Sequence, residues 1–171
     1  LVISGDILTD FDLRAATAFH RERKSRATMV LTRVESPLQY GIVITDGEGR
    51  ITRFLEKPSW AEVFSDTINT GIYILEPGAL DAIPPQRECD FGKDLFPAIL
   101  AQGQPLYGYV AEGYWRDVGD LVEYRLAHLD LLQGKLGAEI PGRRVEGISQ
   151  AIWLDEGARV DDGRLDVERA G

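Results

Sequence analysis

Along its first 132 residues, the sequence alternates short runs of β-forming residues with segments whose apolar residues recur at helical spacing. The β-forming runs predict strands at 1–4, 27–34, 42–45, 51–55, 68–75 and 106–110. The segments between them predict helices at about 9–24, with Thr9 or Asp10 as the N-cap, and at 77–83, 91–101 and 117–132. The last helix is amphipathic, and its predicted apolar face consists of Val118, Leu121, Leu126, Leu129 and Leu132. Since strands that alternate with helices assemble into an α/β sheet, this order predicts that fold class.

One connection makes the predicted sheet mixed. Ile42–Thr45 and Ile51–Leu55 flank Asp46-Gly47-Glu48-Gly49, a tight turn of the kind that joins antiparallel strands. Leu1–Ser4 has the apolar composition of a buried strand, which needs neighbours on both sides. We therefore expect the sheet to be incomplete at its N-terminal side.

The character of the chain changes in its last quarter. Pro141-Gly142-Arg143-Arg144 indicates a linker. Beyond it, Ile148, Leu154 and Val160 recur every six residues, the period of a β-helix in which each short strand buries one aliphatic side chain. A polar tail with scattered apolar residues fits this period almost as well.

The net charge of −9 restricts the partners of the chain. Nucleic acid and anionic membranes both favour basic patches, so we expect neither. A small phosphorylated ligand remains compatible, because a few cations or a metal ion can offset its charge. No apolar run has the length of a membrane-spanning helix. The single cysteine, Cys89, excludes an internal disulfide and a cysteine-rich zinc site, which favours a cytoplasmic location.

Two aspartates far apart in the sequence are candidate metal ligands. Asp6 follows an apolar strand and Gly5, and open α/β sheets bind ligands at the carboxyl ends of their strands. Asp117 directly precedes a predicted helix. Either residue could instead cap a turn or a helix, and for Asp6 the residues alone favour capping. Mg²⁺ uses one or two carboxylates plus substrate phosphates, so the pair could share one ion if their strands lie close together.

Polar residues beside other predicted strands are candidates for binding a phosphorylated sugar. Lys57 could pair with a phosphate, and Glu56 could accept hydrogen bonds from sugar hydroxyls. Asn69 offers donors and an acceptor beside Gly71, and a glycine within a strand marks either a close approach or a bulge. Gly41 admits the same two interpretations, and an isolated Glu-Lys pair is more commonly only solvated.

Six stretches, taken in this order, resemble the sugar-phosphate nucleotidyltransferases. They are Ser4-Gly5-Asp6, Tyr40-Gly41, Phe54-Leu55-Glu56-Lys57-Pro58, Asn69-Thr70-Gly71-Ile72-Tyr73, Phe91-Gly92-Lys93-Asp94-Leu95-Phe96-Pro97 and Tyr114-Trp115-Arg116-Asp117-Val118-Gly119. The segment between Glu56 and Pro77 looks most like the bacterial mannose-1-phosphate guanylyltransferases, many of which carry a left-handed β-helix after the catalytic domain.

The resemblance implies a fold and a reaction. The fold would be an incomplete Rossmann-like mixed sheet with flanking helices over residues 1–136, followed over 137–171 by a linker and the start of a left-handed β-helix. In the reaction, an oxygen of a sugar-1-phosphate, expected to be mannose-1-phosphate, would attack the α-phosphate of a nucleoside triphosphate, expected to be GTP, and release pyrophosphate.

The resemblance also implies roles for single residues. Three residues would be catalytic. Asp6 and Asp117 would hold Mg²⁺, and Lys57 would bind the sugar phosphate. Gly41, Glu56 and Asn69 would contact the sugar ring. Trp115 would pack beside the metal.

One family feature does not occur in these 171 residues, namely a Gly-rich loop with an Arg and a following Lys that grips the triphosphate. The sequence does not begin with Met, and we expect a part of a longer polypeptide that is inactive alone. The alternatives are a noncatalytic regulatory or assembly relative and a glucose-1-phosphate uridylyl- or thymidylyltransferase. The presence of Asp6, Lys57 and Asp117 favours descent from an active enzyme, and exposed sheet edges favour a homo-oligomer.

Overall fold

A computed structural model describes residues 1–56, 58–59, 61, 63, 65–83, 86–145, 152–155, 157–161 and 164–166. The chain forms two compact units, Leu1–Asp117 and Val118–Gly171. This division falls earlier than the predicted domain boundary after residue 136, which stays a prediction about where the catalytic domain ends.

The first unit contains strands and helices in an alternating order. Its strands are β1 (Val2–Ile3), β2 (Ile7–Thr9), β3 (Ala27–Arg33), β4 (Ile42–Thr45), β5 (Ile51–Leu55), β6 (Thr67–Leu75), β7 (Leu106–Val110) and β8 (Trp115–Asp117). Its α-helices are α1 (Leu13–Glu22) and α2 (Phe96–Ala101), with a 3₁₀ helix at Pro77–Ala82 and a π-helix at Phe91–Leu95.

Within the described residues of this unit, a six-stranded mixed sheet has the order β5-β4-β6-β3-β7, and β1 also pairs with β6. β3 runs parallel to β7 and antiparallel to β6. β4 is antiparallel to both β5 and β6. These pairings confirm the predicted mixed α/β sheet.

The predicted hairpin forms between β4 and β5. The Asp46 side chain accepts hydrogen bonds at 2.9 Å from the backbone N–H groups of Glu48 and Arg50. Gly49 completes the turn with φ of +83°, a conformation that glycine adopts without the steric cost of a side chain. The turn was predictable because both requirements are visible in the local sequence.

Side chains of β3 alternate between two apolar clusters, one on each face of the sheet. Met29 and Leu31 pack in the cluster that contains Phe96 and Ile99 of α2. Val30 packs in the other, which contains Ala16 of α1. The two helices therefore cover opposite faces of the central strand.

The predicted burial of the first strand is wrong. β1 pairs with β6 through Val2↔Tyr73 and Ile3↔Ile72, but Val2 and Ile3 are 39% and 42% exposed. Among the described strands, β6 is the only partner of β1. Its apolar residues therefore stay accessible to solvent.

Helix starts also differ from the sequence-based expectation. α1 begins only at Leu13, because Asp12 accepts hydrogen bonds from the N–H groups of Arg14 and Ala15 and forms the N-cap. The predicted caps, Thr9 and Asp10, lie outside this helix. The predicted helix at 91–101 forms, but its first turns are the π-helix that precedes α2.

The second unit begins with α3 (Leu121–Leu132), whose N-cap is Asp120 and not Asp117. Its apolar face was expected to be buried, but Leu121 is 85% exposed, and Val122, Leu126 and Leu129 are exposed as well. The buried residues of the helix are instead Ala127 and Asp130. The prediction of an inward apolar face is therefore wrong.

Short strands follow in this unit, β9 (Arg143–Arg144), β10 (Trp153–Leu154), β11 (Arg159–Asp161) and β12 (Arg164–Asp166). β9 pairs with β10 and β11 with β12, both antiparallel. Of the six-residue repeat, Leu154 is buried, Ile148 lies outside the described residues, and so does the side chain of Val160. The β-helix stays a prediction. In the described parts of the whole chain, no helix is long and apolar enough to cross a membrane.

Candidate functional site

A short ribbon brings the two predicted metal ligands together. β2 pairs antiparallel with β8, and the register places Asp117 opposite Ile7, the residue that follows Asp6. Asp6 and Asp117 line the same cleft of about 200 Å³, which we call the aspartate cleft. Although 110 residues separate them in the sequence, the fold places both aspartates in the lining of one cleft.

The aspartate cleft also contains most of the other predicted site residues. Its lining includes the predicted sugar-contacting residues and the predicted packing residue, namely Gly41, Glu56, Asn69 and Trp115. Four further lining residues belong to the quoted motifs but have no predicted role in the site, namely Ser4, Tyr40, Thr70 and Gly71. Ile7 and Gln39 complete the lining and lie outside those motifs. Lys57, the predicted phosphate ligand, lies outside the described residues.

A bulge in β6 shapes one wall of this cleft. The register between β3 and β6 shifts from Val30↔Ile72 to Leu31↔Asn69, so that Thr70 and Gly71 loop out of the ladder. Gly71 has φ of +77°, and a Cβ on it would lie 2.9 Å from Ser4 Oγ. Both predicted explanations for Gly71 therefore apply, because the glycine lies in a bulge and also allows a close approach.

The Asn69 side chain is held at the start of the bulge. Its Oδ1 accepts a hydrogen bond from the backbone N–H of Gly71 at 3.1 Å, and its Nδ2 donates to the Tyr73 hydroxyl at 2.9 Å. These bonds use part of the capacity of the amide, which has two N–H donors and two carbonyl lone pairs. Asn69 can therefore still face a ligand while its own orientation is fixed.

Two glycine backbones approach the Glu56 carboxylate. A Cβ on Gly41 would lie 2.6 Å from Glu56 Oε2, and a Cβ on Gly92 would lie 3.0 Å from the same atom. A contact as short as the first is essentially never seen for a real Cβ. Gly41 therefore leaves room for the position of Glu56, which agrees with the predicted close approach, although the sequence did not indicate Glu56 as the neighbour.

A second cleft of about 340 Å³ adjoins the first, because Ser4, Glu56 and Asn69 line both. We call it the tyrosine cleft. The remaining residues in its lining are Val2, Ile3, Tyr73, Asp90, Phe91 and Gly92. Phe91 and Gly92 belong to the 91–97 motif, for which the resemblance implies no role. The sequence signal for a role in the site was Gly92, which has a carboxylate on either side of it, Asp90 and Asp94.

The π-helix turns Asp90 and Gly92 toward this cleft. Asp90 Oδ1 accepts a hydrogen bond from the backbone N–H of Lys93 at 3.0 Å, and Asp94 Oδ2 accepts one from the N–H of Asp90 at 2.8 Å. Single turns of π-helix occur often at functional sites. Here the turn is fixed by its own side chains.

Tyr73 joins the tyrosine cleft to the apolar core. Its ring centroid lies 4.9 Å from that of Phe96 and 5.7 Å from that of Phe91. Burial raises the pKa of the Tyr73 hydroxyl above its ordinary value of 10.0. Donation by Asn69 lowers that pKa, and the nearby carboxylates of Glu56 and Asp90 raise it further. The hydroxyl thus stays protonated at neutral pH and can donate a hydrogen bond.

Trp115 links the ribbon to the bulge. Its Nε1 donates a hydrogen bond to the carbonyl of Thr70 at 3.1 Å. Its ring packs edge-on against Tyr40, with centroids 5.3 Å apart. The indole therefore connects β8, β6 and the segment before β4 at one side of the aspartate cleft.

The donor set in the aspartate cleft fits Mg²⁺. Among the described residues, no three His, Cys, Asp or Glu side chains converge into a cage that would hold a metal by protein ligands alone. Mg²⁺ is commonly bound by one or two carboxylates, with water and substrate phosphates completing its coordination. Asp6 and Asp117 supply that number of carboxylates.

The second unit contains a larger cavity of about 1020 Å³. It is lined by residues between Leu129 and Trp153 and includes none of the predicted site residues. The described residues that the sequence singles out as site candidates therefore line the two smaller clefts of the first unit and not this cavity.

Comparison with known proteins identifies the family of the chain. The family model described as nucleotidyl transferase matches residues 1–134. A UTP–glucose-1-phosphate uridylyltransferase of Synechocystis sp. is 41% identical over all of this chain and 44% of its own length. A mannose-1-phosphate guanylyltransferase of Mycobacterium tuberculosis is 36% identical over 96% of this chain and 45% of its own length.

A solved structure shares the fold. A crystal structure described as a glucose-1-phosphate thymidylyltransferase from Bacillus anthracis, in complex with sucrose, matches with a TM-score of 0.63 at 25% identity. The match covers 73% of this chain and 51% of that one. The chain spans somewhat less than half the length of the curated relatives described above. The family match over residues 1–134 and these relatives establish that the chain belongs to the nucleotidyl transferase family.

Proposed function

We propose that this chain supplies the sugar-1-phosphate and metal-binding part of a sugar-1-phosphate nucleotidyltransferase. One observation carries the proposal: every predicted site residue that the structure describes lines the aspartate cleft. Those residues come from five separate stretches of sequence, and a chance surface cleft would not collect them. Mannose-1-phosphate and GTP are the substrates we propose first, and the guanylyltransferase relative supports them.

The proposed reaction is an in-line displacement at phosphorus. An oxygen of the sugar-1-phosphate forms a bond to the α-phosphorus of the nucleoside triphosphate, the bond from that phosphorus to the bridging β-oxygen breaks, and pyrophosphate leaves. Held by Asp6 and Asp117, Mg²⁺ would supply positive charge that offsets the charge of the phosphates. The remaining work of the chain is to align the two anions.

Alignment of the sugar falls to the residues shared by the two clefts. Glu56 accepts hydrogen bonds from sugar hydroxyls, and Asn69 adds a donor and an acceptor. We add Tyr73 and Asp90 to this set because they line the adjoining cleft. The Tyr73 hydroxyl is already anchored to Asn69, so a sugar bound there would meet donors and acceptors fixed in advance. Lys57 is proposed to bind the sugar phosphate.

A second candidate pairs UTP with glucose-1-phosphate, and the identity of 41% to a uridylyltransferase favours it. The noncatalytic alternative is less favoured, because a relative that had lost the chemistry would have no reason to keep Asp6 and Asp117 in one cleft. A left-handed β-helix over 137–171, a homo-oligomer and a cytoplasmic location remain proposals supported by the sequence pattern.

Isothermal titration of the 171-residue chain with mannose-1-phosphate and glucose-1-phosphate in Mg²⁺ tests the proposal. We expect one of them to bind at least about tenfold more tightly than inorganic phosphate, since sugar hydroxyls add hydrogen bonds. Glu56→Gln should remove that preference, and Glu48→Gln in the exposed hairpin turn should not. Equal affinities for both sugar phosphates and phosphate would refute the sugar site.

Turnover is a separate question. With GTP and mannose-1-phosphate, we expect the 171-residue chain alone to release no pyrophosphate, because its sequence holds no Gly-rich triphosphate loop. Release of pyrophosphate at a measurable rate would contradict that expectation and would show that other residues grip the triphosphate.

A further inference from the structure

The ribbon that carries the two aspartates is a weak element by itself. β2 and β8 contribute three residues each and, among the described strands, pair only with each other. A two-stranded pair of this length is at best marginally stable in water. More than a hundred residues separate the strands, so no turn fixes their register.

Side chains at the far end of the ribbon hold both backbone groups of Tyr114. Thr9 Oγ1 donates a hydrogen bond to the Tyr114 carbonyl at 2.7 Å. The Tyr114 backbone N–H donates to Asp10 Oδ1, also at 2.7 Å. The backbone N–H of Asp10 donates to the same carbonyl at 3.2 Å. Tyr114 is thereby fixed directly before β8 begins.

Gly113 allows this approach. Its φ is +128°, and a Cβ on it would lie 2.6 Å from Asp10 Oδ1. A larger residue would push the carboxylate away from the Tyr114 N–H. The bond from that N–H to the Asp10 carboxylate is charge-assisted, which makes it stronger than a bond between neutral groups.

We propose that Thr9 and Asp10 are positioning residues that set the register of β8 and thereby hold Asp117 beside Asp6. A slip of one residue would move Asp117 by about 3.3 Å along the ribbon and turn its side chain to the opposite face. The carboxylates would then no longer face one ion. The inference concerns geometry, and it rests on the proposed function only for the identity of the ligand.

The test uses Mn²⁺ as a probe, with binding to the 171-residue chain followed by electron paramagnetic resonance. Thr9→Val with Asp10→Ala removes the side-chain bonds to Tyr114. Thr9→Ser with Asp10→Asn keeps an oxygen at each position. The matched control is Asp12→Ala, which removes a nearby carboxylate that binds two backbone N–H groups of α1 and makes none of these bonds to Tyr114.

We expect the Val/Ala double variant to bind Mn²⁺ at least about tenfold more weakly, as is typical when groups that orient metal ligands are lost. The Ser/Asn variant should restore affinity, and Asp12→Ala should leave it unchanged although it weakens α1. Amide hydrogen exchange should become faster at 115–117 and stay unchanged in β3 and β6. Unchanged Mn²⁺ affinity in the double variant would overturn the inference.

The two proposals can fail separately. If the unaltered chain binds no Mn²⁺, the proposed metal site is wrong, and the exchange data then decide the register. Amides of 115–117 that stay protected in the double variant would overturn the positioning role. If the double variant loses protection in β3 and β6 as well, Asp10→Ala alone is measured against the same two criteria.

Discussion

The two ends of the proposed site are supported in different ways. At the sugar end, Tyr73 and Asn69 belong to β6, a central strand of the sheet, and the Tyr73 ring packs against Phe91 and Phe96 in the core. At the metal end, Asp6 and Asp117 depend on a ribbon of three-residue strands outside that sheet.

The difference indicates how each end is kept in place. Burial of apolar surface stabilises the sugar end, so its geometry follows from the folding of the whole unit. At the metal end, Ile7 and Trp115 of the ribbon are only partly buried against one apolar cluster of the sheet, and a few hydrogen bonds set the register. Substitutions should therefore affect the two ends independently, except at two places. Trp115 of the ribbon donates a hydrogen bond to Thr70 of β6, and Ser4 and Ile7 lie close to Gly71 of the same strand.

The largest effect should come from neutralising the metal end. Asp6→Asn with Asp117→Asn should weaken Mn²⁺ binding by about two orders of magnitude, or roughly 2.7 kcal/mol. Asp81→Asn, which removes an exposed carboxylate from the 3₁₀ helix, is the control. Isothermal titration of each variant with Mn²⁺ measures the loss of affinity. Equal losses for the double variant and the control would place the metal elsewhere.

A substitution at the contact between the ends should cost the most stability. Gly71→Ala should lower the free energy of unfolding by about 2 kcal/mol, because it adds a clash with Ser4 to the strain of a positive φ. Gly103 has φ of +65°, and nothing lies within 4 Å of a Cβ built on it. Gly103→Ala should therefore lower the free energy of unfolding only by the backbone strain, about 1 kcal/mol. Urea unfolding measures both. Equal costs would show that the Ser4 contact is unimportant.

The sugar end can be altered without touching the metal. Gly41→Ala should displace Glu56 and weaken binding of mannose-1-phosphate about tenfold, or 1.4 kcal/mol. Gly47→Ala is the matched control, since no atom lies within 4 Å of its Cβ. Mn²⁺ affinity should stay unchanged in both variants. A fall in Mn²⁺ affinity in Gly41→Ala would mean that the two ends are coupled.

The smallest effect concerns the pKa of Tyr73. Because that pKa is raised in the folded chain, the unfolded chain loses its proton first as the pH rises above 10. The contribution of the Tyr73 hydroxyl to the free energy of unfolding is therefore fully present below pH 10. It is lost as the pH rises from 10 through the pKa of the folded state. Tyr73→Phe should show a shallower loss of stability in urea unfolding between pH 9 and 11. Parallel curves would contradict the raised pKa.

The parts that the sequence predicted well are those governed by local rules. Ile42–Thr45, Ile51–Leu55 and Leu106–Val110 have the predicted bounds, because composition and turn residues set them. The order of the motifs is an exception to this rule, since a family resemblance carries long-range information. The described residues to which it implies a role all line the aspartate cleft.

The misses depend on contacts between distant residues. Neither the approach of Gly41 and Gly92 to Glu56 nor the addition of Tyr73 to the site follows from the local sequence. The exposure of β1 and of Leu121 does not follow from the sequence either, because apolar composition predicts burial. Asp120 caps α3 in place of Asp117 because Asp117 is the last residue of β8.

Titration of the ¹⁵N-labelled 171-residue chain with mannose-1-phosphate in Mg²⁺, followed by NMR, tests most directly whether one site joins the two ends. We predict that the amides of Gly41, Gly71 and Gly92 and the indole N–H of Trp115 shift together and give a single Kd. The same titration with inorganic phosphate should leave Gly41 and Gly92 unshifted. Shifts confined to the second unit, or identical shifts with both ligands, would contradict a sugar-1-phosphate site in these clefts.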